Sequence, residues 1–179
     1  MWARAMQQGS GMRTDLKALL IRHMLITKEQ VDWATESTRG SRCTWLEQLL
    51  LLGVLNEERV CECVSMQVCV PRCDLRRLAN LPADVVARIP AEVAVEHRVV
   101  PMWVEPDGDL RVGMLDPLDS EALEEVQFFA GRRVLREVAV ATAMAWALHH
   151  YHGVRSALWP RVLKKSLALV DEDPRLQGL

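Results

Sequence analysis

The sequence predicts an α+β fold: a helical subdomain of two repeated helix pairs over residues 14–68, followed by a small α/β sandwich subdomain over 69–153. Three observations lead there. The first half repeats itself at an offset of 29 residues: Leu20 matches Leu49, Ile21 matches Leu50, Ile26 matches Leu55, Thr27 matches Asn56 and Val31 matches Val60. The second half shifts to strand-like stretches on either side of the turn sequence Glu105-Pro106-Asp107-Gly108-Asp109. Finally, the chain has 179 residues, 50% of them apolar, so it can bury a core as one domain or two small ones.

Residues 1–13 read as a flexible polar arm containing Gly9-Ser10-Gly11. Leu16, Leu19, Leu20 and His23 then fall at helical spacing. Thr27 with Gln30 forms a capping-box signature for a second helix that turns Val31 and Ala34 inward, and Arg39-Gly40-Ser41 breaks it. A third helix carries Trp45, Leu46, Leu49, Leu50 and Leu52 and stops at Gly53. Asn56 caps a fourth, with Val60, Cys63 and Val64 on its apolar side. One helix pair cannot bury its own apolar stripe, but two packed together can.

From residue 69 the rhythm differs. Val68-Cys69-Val70-Pro71 reads as extended. Pro82, Pro90 and Pro101 punctuate two short helices, about 83–88 and 91–97. Val99–Val104 and Asp109–Met114 read as strands, Asp116-Pro117-Leu118-Asp119 as a loop, and 120–130 as a helix ended by Gly131. Arg133–Val140 alternates as a strand, and Ala141–Tyr151 is an alanine-rich helix. The remaining region, 154–179, holds an amphipathic helix over about 155–170 and a polar tail.

Composition removes several function classes. A net charge of -2 and a pI near 6.2 give no basic field for nucleic acid. Lys28-Glu29-Gln30 and Glu57-Glu58-Arg59 open the second helix of each pair with mixed or acidic charge, unlike a DNA-recognition helix. The apolar stretch Leu49–Leu55 falls far short of the roughly 20 residues that span a bilayer, and the N-terminus carries no apolar signal region. A cytoplasmic location follows as the expectation, with membrane contact at most indirect.

The five cysteines, Cys43, Cys61, Cys63, Cys69 and Cys73, are odd in number, which suits a reducing compartment. Their spacings lack the paired C-x2-C of structural zinc, so they read as buried thiols. His149, His150 and His152 read as a solvated helix end. Asp119 reads as an N-cap, and no sequence pattern places a nucleophile on a sharp turn. Neither a metal nor a cofactor is expected.

The order and spacing of Leu78-Ala79-Asn80-Leu81-Pro82, Ile89-Pro90-Ala91-Glu92, Val99-Val100-Pro101-Met102, Leu110–Asp119 and Phe128-Phe129-Ala130-Gly131-Arg132-Arg133-Val134 resemble one known domain. It is the N-terminal domain of the ATPases that drive type II secretion and type IV pilus assembly. The resemblance spans roughly residues 14–153 and is most specific in the second half. It implies a domain that docks an ATPase on the cytoplasmic face of its membrane platform, and in some members one that binds cyclic di-GMP. The sequence contains no Gly-Lys pair, so no phosphate-cradling loop of the motor can be drawn in it. The expectation is a docking domain without its motor: a non-catalytic adaptor or regulator whose partner is a platform component or a related ATPase. The alternative is a cyclic di-GMP sensor.

The dinucleotide pattern is eroded. Binding relatives carry Arg-Leu-Gly at the start of each repeat; here Asp15-Leu16-Lys17 and Thr44-Trp45-Leu46 stand there, Met24 replaces a turn glycine, and Thr38 replaces the glutamine that ends the first repeat. If the repeats still bind, Leu16, Leu20, Leu49 and Gly53 are the positions that fit the pattern the resemblance implies. Lys17, Arg39 and Arg42 are not part of that pattern and are the nearby cations that could compensate for the missing arginines. Separately, Leu158, Trp159, Arg161, Lys164 and Lys165 of the last helix form a candidate partner surface, since a basic amphipathic helix can enter a partner's groove. The bland alternative is that this helix packs on its own domain with its basic residues in solvent.

Overall fold

The computed structural model describes residues 15–164. Its first half is two helical hairpins: α1 (Leu16–Arg22) with α2 (Lys28–Ser37), and α3 (Trp45–Leu51) with α4 (Glu57–Val68). The starts of α1 and α3, and of α2 and α4, keep the 29-residue offset, so the sequence repeat is a structural one.

Each helix of the repeat begins on a side-chain cap that satisfies backbone donors left open at a helix start. The Asp15 carboxylate accepts from the Ala18 N–H at 2.7 Å. Thr27 and Thr44 both form capping boxes, with Gln30 and Glu47 respectively. The Asn56 side chain accepts from Glu58 and Arg59. The turn in each hairpin holds one residue in the left-handed region, Met24 at φ 53° and Gly53 at φ 74°, again 29 apart.

Two inward assignments change. Leu52 caps the end of α3 and is 56% exposed, because at the helical period it points away from the face shared by Leu46, Leu49 and Leu50. On α4 it is Cys61 that is buried between Val60 and Val64, while Cys63 is only half-buried.

The second half comprises α5 (Leu75–Leu78), α6 (Ala83–Val86), α7 (Ala91–Glu96), β1 (Val99–Val104), β2 (Leu110–Met114), α8 (Ser120–Ala130), β3 (Val134–Val138) and α9 (Ala141–His152). The sheet order is β1-β2-β3, antiparallel between β1 and β2 and parallel between β2 and β3. Because β1 is an edge strand, Pro101 fits without removing an interior ladder bond. The expected extended segment begins late. Val68 is still helical, Cys69 ends α4 at φ 53°, and Pro71–Cys73 then lies along β3, with Val138 N–H donating to Pro71 and Cys73 N–H donating to Val138. Gly113 has a packing reason: a Cβ there would sit 3.4 Å from both the Cys73 sulfur and the Met102 sulfur.

One continuous core runs through both halves, from Leu16, Leu20 and Leu49 to Val112, Met144 and Leu148. After α9 the chain is helical again only over 159–164 of the described residues. Pro160 lacks an N–H and is tolerated only in a first helical turn, so the start expected near 155 is not available. No helix among the described residues is long and apolar enough to cross a membrane.

Candidate functional site

The starts of α1 and α3 face the loop that leads into α8, and a cavity of about 600 Å³ opens between them. Asp15, Leu16, Lys17 and Trp45 line it from the repeats; Asp116, Leu118, Asp119 and Glu121 line it from the α/β half. Asp15 and Asp119 are there as helix caps, Asp119 accepting from Ala122 N–H at 3.0 Å. Lys17 Nζ donates to the Thr35 hydroxyl at 3.1 Å and lies 5.4 Å from the centre of the Trp45 ring.

Asp116 is the perturbed group of this seam. Burial pushes its carboxyl up to about 6, and the Asp119 and Asp15 carboxylates push the same way, against hydrogen bonds from the Leu118 and Asp119 backbone. The cavity is therefore lined by the carboxylates of Asp15, Asp116, Asp119 and Glu121, and Lys17, the cation among its described lining residues, is already engaged by Thr35 and Trp45.

Two polar contacts fix the seam. Arg98 sits at φ 52° just before β1. Its guanidinium donates to the buried Glu47 carboxylate at 3.3 and 3.4 Å, to Arg42 O at 2.6 Å and to Val95 O. Glu47 thus serves both as the capping-box residue of α3 and as the anchor for Arg98. On the other side, Glu57 at the start of α4 accepts from Thr142 at the start of α9. Neither contact is visible in the sequence, because the partners lie 51 and 85 positions apart.

A second cavity, of about 540 Å³, lies between 41–44, α7 and the segment after α9, with Arg42, Arg98 and Arg155 on its walls beside Glu92 and Glu96. Cations and carboxylates share its walls, so the cavity carries no single sign.

The residues singled out from sequence are placed as follows. Leu16, Leu20 and Leu49 are core side chains, each at most 2% exposed. Gly53 is exposed in its turn. Arg39 pairs with Glu36 at 3.0 Å, and Arg42 is exposed beside the second cavity. Leu158 is buried. Trp159 packs edge-on against His149 with ring centres 4.0 Å apart, and Arg161 donates to Leu51 O at 3.4 Å. The 159–164 helix thus rests on its own domain, leaving Leu163 and Lys164 exposed; Lys165 lies outside the described residues.

The histidines are not simply a solvated helix end. His149 contacts Trp159, His150 stacks on Trp146 at 4.7 Å, and burial holds the His152 imidazole below its usual value. All five cysteines are free thiols, but they are not uniformly buried: Cys61 is enclosed and Cys69 is exposed. Burial, followed by the nearby Glu137, pushes the Cys73 thiol up to about 12. Among the described residues no group of three or more His, Cys, Asp or Glu side chains is gathered around a common point as a metal requires.

Residues 70–158 match the MshEN domain family. The chain is 33% identical over 138 residues to the type IV pilus assembly ATPase PilB of Thermus thermophilus, a match covering 76% of this chain and 15% of that protein. It is 28% identical over 137 residues to PilB of Myxococcus xanthus, covering 76% and 24%. It is 26% identical over 149 residues to bacteriophage adsorption protein B of Escherichia coli, covering 83% and 20%. The chain thus spans 15–24% of the length of these curated relatives. Among solved structures, MshE with cdg shares the fold at a TM-score of 0.54 and 23% identity, covering 78% of this chain and 99% of that one. The N-terminal domain of XpsE shares it at 0.60 and 21%, covering 78% and 94%.

Proposed function

We propose, from the premise that residues 70–158 belong to the MshEN domain family of secretion and pilus ATPase N-terminal domains, that this chain is a non-catalytic interaction module of a bacterial type II secretion or type IV pilus-like machine. Its partner on this reading is a cytoplasmic platform component or a related ATPase. The observation that carries the reading is the family match over the whole α/β half. The charged side chains of the seam support it, since they serve as caps and struts: Asp15 and Asp119 cap helices, Glu47 holds Arg98, and Glu57 holds Thr142. Function then resides in the surface of a rigid body, by shape and charge recognition.

The test is co-expression with the platform protein and the motor ATPase of the same organism's secretion or pilus system, followed by size-exclusion chromatography. Co-elution with one of them is expected. Separate elution from all of them overturns the reading.

One observation favours a second reading, a cyclic di-GMP sensor. The cavity of about 600 Å³ opens at the equivalent ends of the two repeats, and MshE, which shares this fold, was solved with cdg. Against it stand Asp15, Asp116 and Asp119, whose carboxylates oppose a phosphate in that cavity. Calorimetric titration with cyclic di-GMP decides. Heat and a raised melting temperature support the sensor; the lack of both ends it, since a ligand bound only to the folded state must stabilise it.

A further inference from the structure

Helix α8 has two unlike faces. Ala122 and Val126 are fully buried against the domain. The outward stripe, at i, i+3, i+4 and i+7, is Glu121, Glu124, Glu125 and Phe128. Phe128 is 79% exposed and Phe129 44%, and their rings meet edge to face at 5.3 Å. Phenylalanine has no polar atom that water can satisfy, so this pair is an apolar anchor left open at the end of an acidic row.

The neighbouring cations do not cancel the row. Arg132 donates to Gly108 O at 2.6 Å, and Arg133 lies 3.7 Å from the Asp109 carboxylate; both are drawn to the β1–β2 turn. His97 holds Glu125 at 2.6 Å, while no cation among the described residues pairs with Glu121 or Glu124.

We propose that this stripe is the docking surface for an amphipathic helix of a partner protein, one whose aliphatic row is flanked by lysines or arginines. The aromatic pair supplies the contact that becomes dry on binding, and the carboxylates one and two turns away meet the flanking cations. The sign of the charge narrows the occupant. An anionic membrane surface is repelled, and a second copy laying its own α8 here brings the same carboxylates against themselves. This inference rests on the interaction-module reading and names the surface that would serve it.

The experiment uses the intact chain and two synthetic amphipathic helices as probes, one of leucine and lysine, the other of leucine and glutamate, followed by fluorescence anisotropy. The leucine–lysine helix is expected to bind saturably, and the leucine–glutamate helix not to bind. Phe128→Ser is expected to weaken binding by about tenfold, and Glu124→Lys by several-fold. Both positions are exposed, so the variants keep the parent's circular dichroism and melting temperature. Equal binding by parent and both variants overturns the proposal. So does preference for the glutamate probe, or a self-association of the parent that Phe128→Ser abolishes. If Phe128→Ser loses the lysine probe yet still co-elutes with the platform or ATPase, the module reading stands and this surface is not its dock.

Discussion

The Glu57 carboxylate accepts both donors of Thr142, the backbone N–H at 2.8 Å and the hydroxyl at 2.8 Å, across 85 positions of sequence. Helix α9 starts on Val140, which has no side chain able to cap it. Its N-terminus is capped instead by a residue of the second helical hairpin. A carboxylate at that end also complements the helix dipole. The two halves are therefore joined where the α/β half lacks a cap of its own, while α4 is already capped by Asn56.

Removing that strut should loosen the joint. Glu57→Ala is expected to cost about 2 kcal/mol and Thr142→Ala about 1 kcal/mol, the usual range for charged and neutral hydrogen bonds. The double variant should cost less than the sum, because both changes break one contact. Urea unfolding of the four proteins measures this; strict additivity would show that the pair contributes nothing jointly.

Arg98 and Glu47 should behave differently, because Glu47 is buried. Its side chain is 2% exposed, and it also accepts from Thr44 N–H at 2.8 Å. Arg98→Met strands a buried carboxylate and is expected to cost about 3–5 kcal/mol. Adding Glu47→Gln removes the stranded charge while keeping an acceptor for Thr44, so the double variant should recover part of the loss. A double variant no more stable than Arg98→Met in the urea midpoint would show that the charge was not the cause.

These two struts mark where sequence reading ends. The repeat was legible because Leu20 and Leu49, and the caps Thr27 and Asn56, recur at one offset within local elements. The strands around Glu105–Asp109 and the helix capped by Asp119 were legible for the same local reason. Helix α5, only four residues long, left no periodic signal. The choice between Cys61 and Cys63 on α4 turned on where β3 lies, since the Cys61 thiol meets Val138 O at 3.6 Å. The acidic seam needed Asp15 and Asp116 brought together from positions about a hundred residues apart, which no spacing rule encodes.

Asp116 gives the fold a pH dependence with a definite sign. Its carboxyl titrates near 6 in the folded chain against 3.8 as the ordinary value. The folded state therefore binds this proton more tightly than the unfolded state does. Its contribution is full below 3.8 and is lost as pH rises through about 6. The side chain borders the open cavity, which screens part of the effect, so about 2 kcal/mol is expected. Asp116→Asn keeps the oxygen that accepts from Leu118 N–H and removes the charge. It should raise the melting temperature at pH 7 and make little difference at pH 4. An equal gain at both values would place its cause elsewhere.

Met24 holds the position that Gly53 holds in the second repeat. Its φ of 53° lies in the left-handed region, where an L side chain crowds its own carbonyl at a cost of about 1–2 kcal/mol. Glycine adopts this conformation freely but loses more backbone entropy on folding, which returns roughly half of the gain. Met24 is 90% exposed, so little packing is lost with its side chain. Met24→Gly is therefore expected to stabilise the chain by about 0.5–1 kcal/mol. The reciprocal change, Gly53→Ala, meets open space around the new Cβ and should destabilise through the backbone alone, by about 1 kcal/mol. Opposite shifts in melting temperature for the two variants are the expected result. Shifts of the same sign would mean that the two turns, alike in position and in dihedral angle, do not carry the same strain.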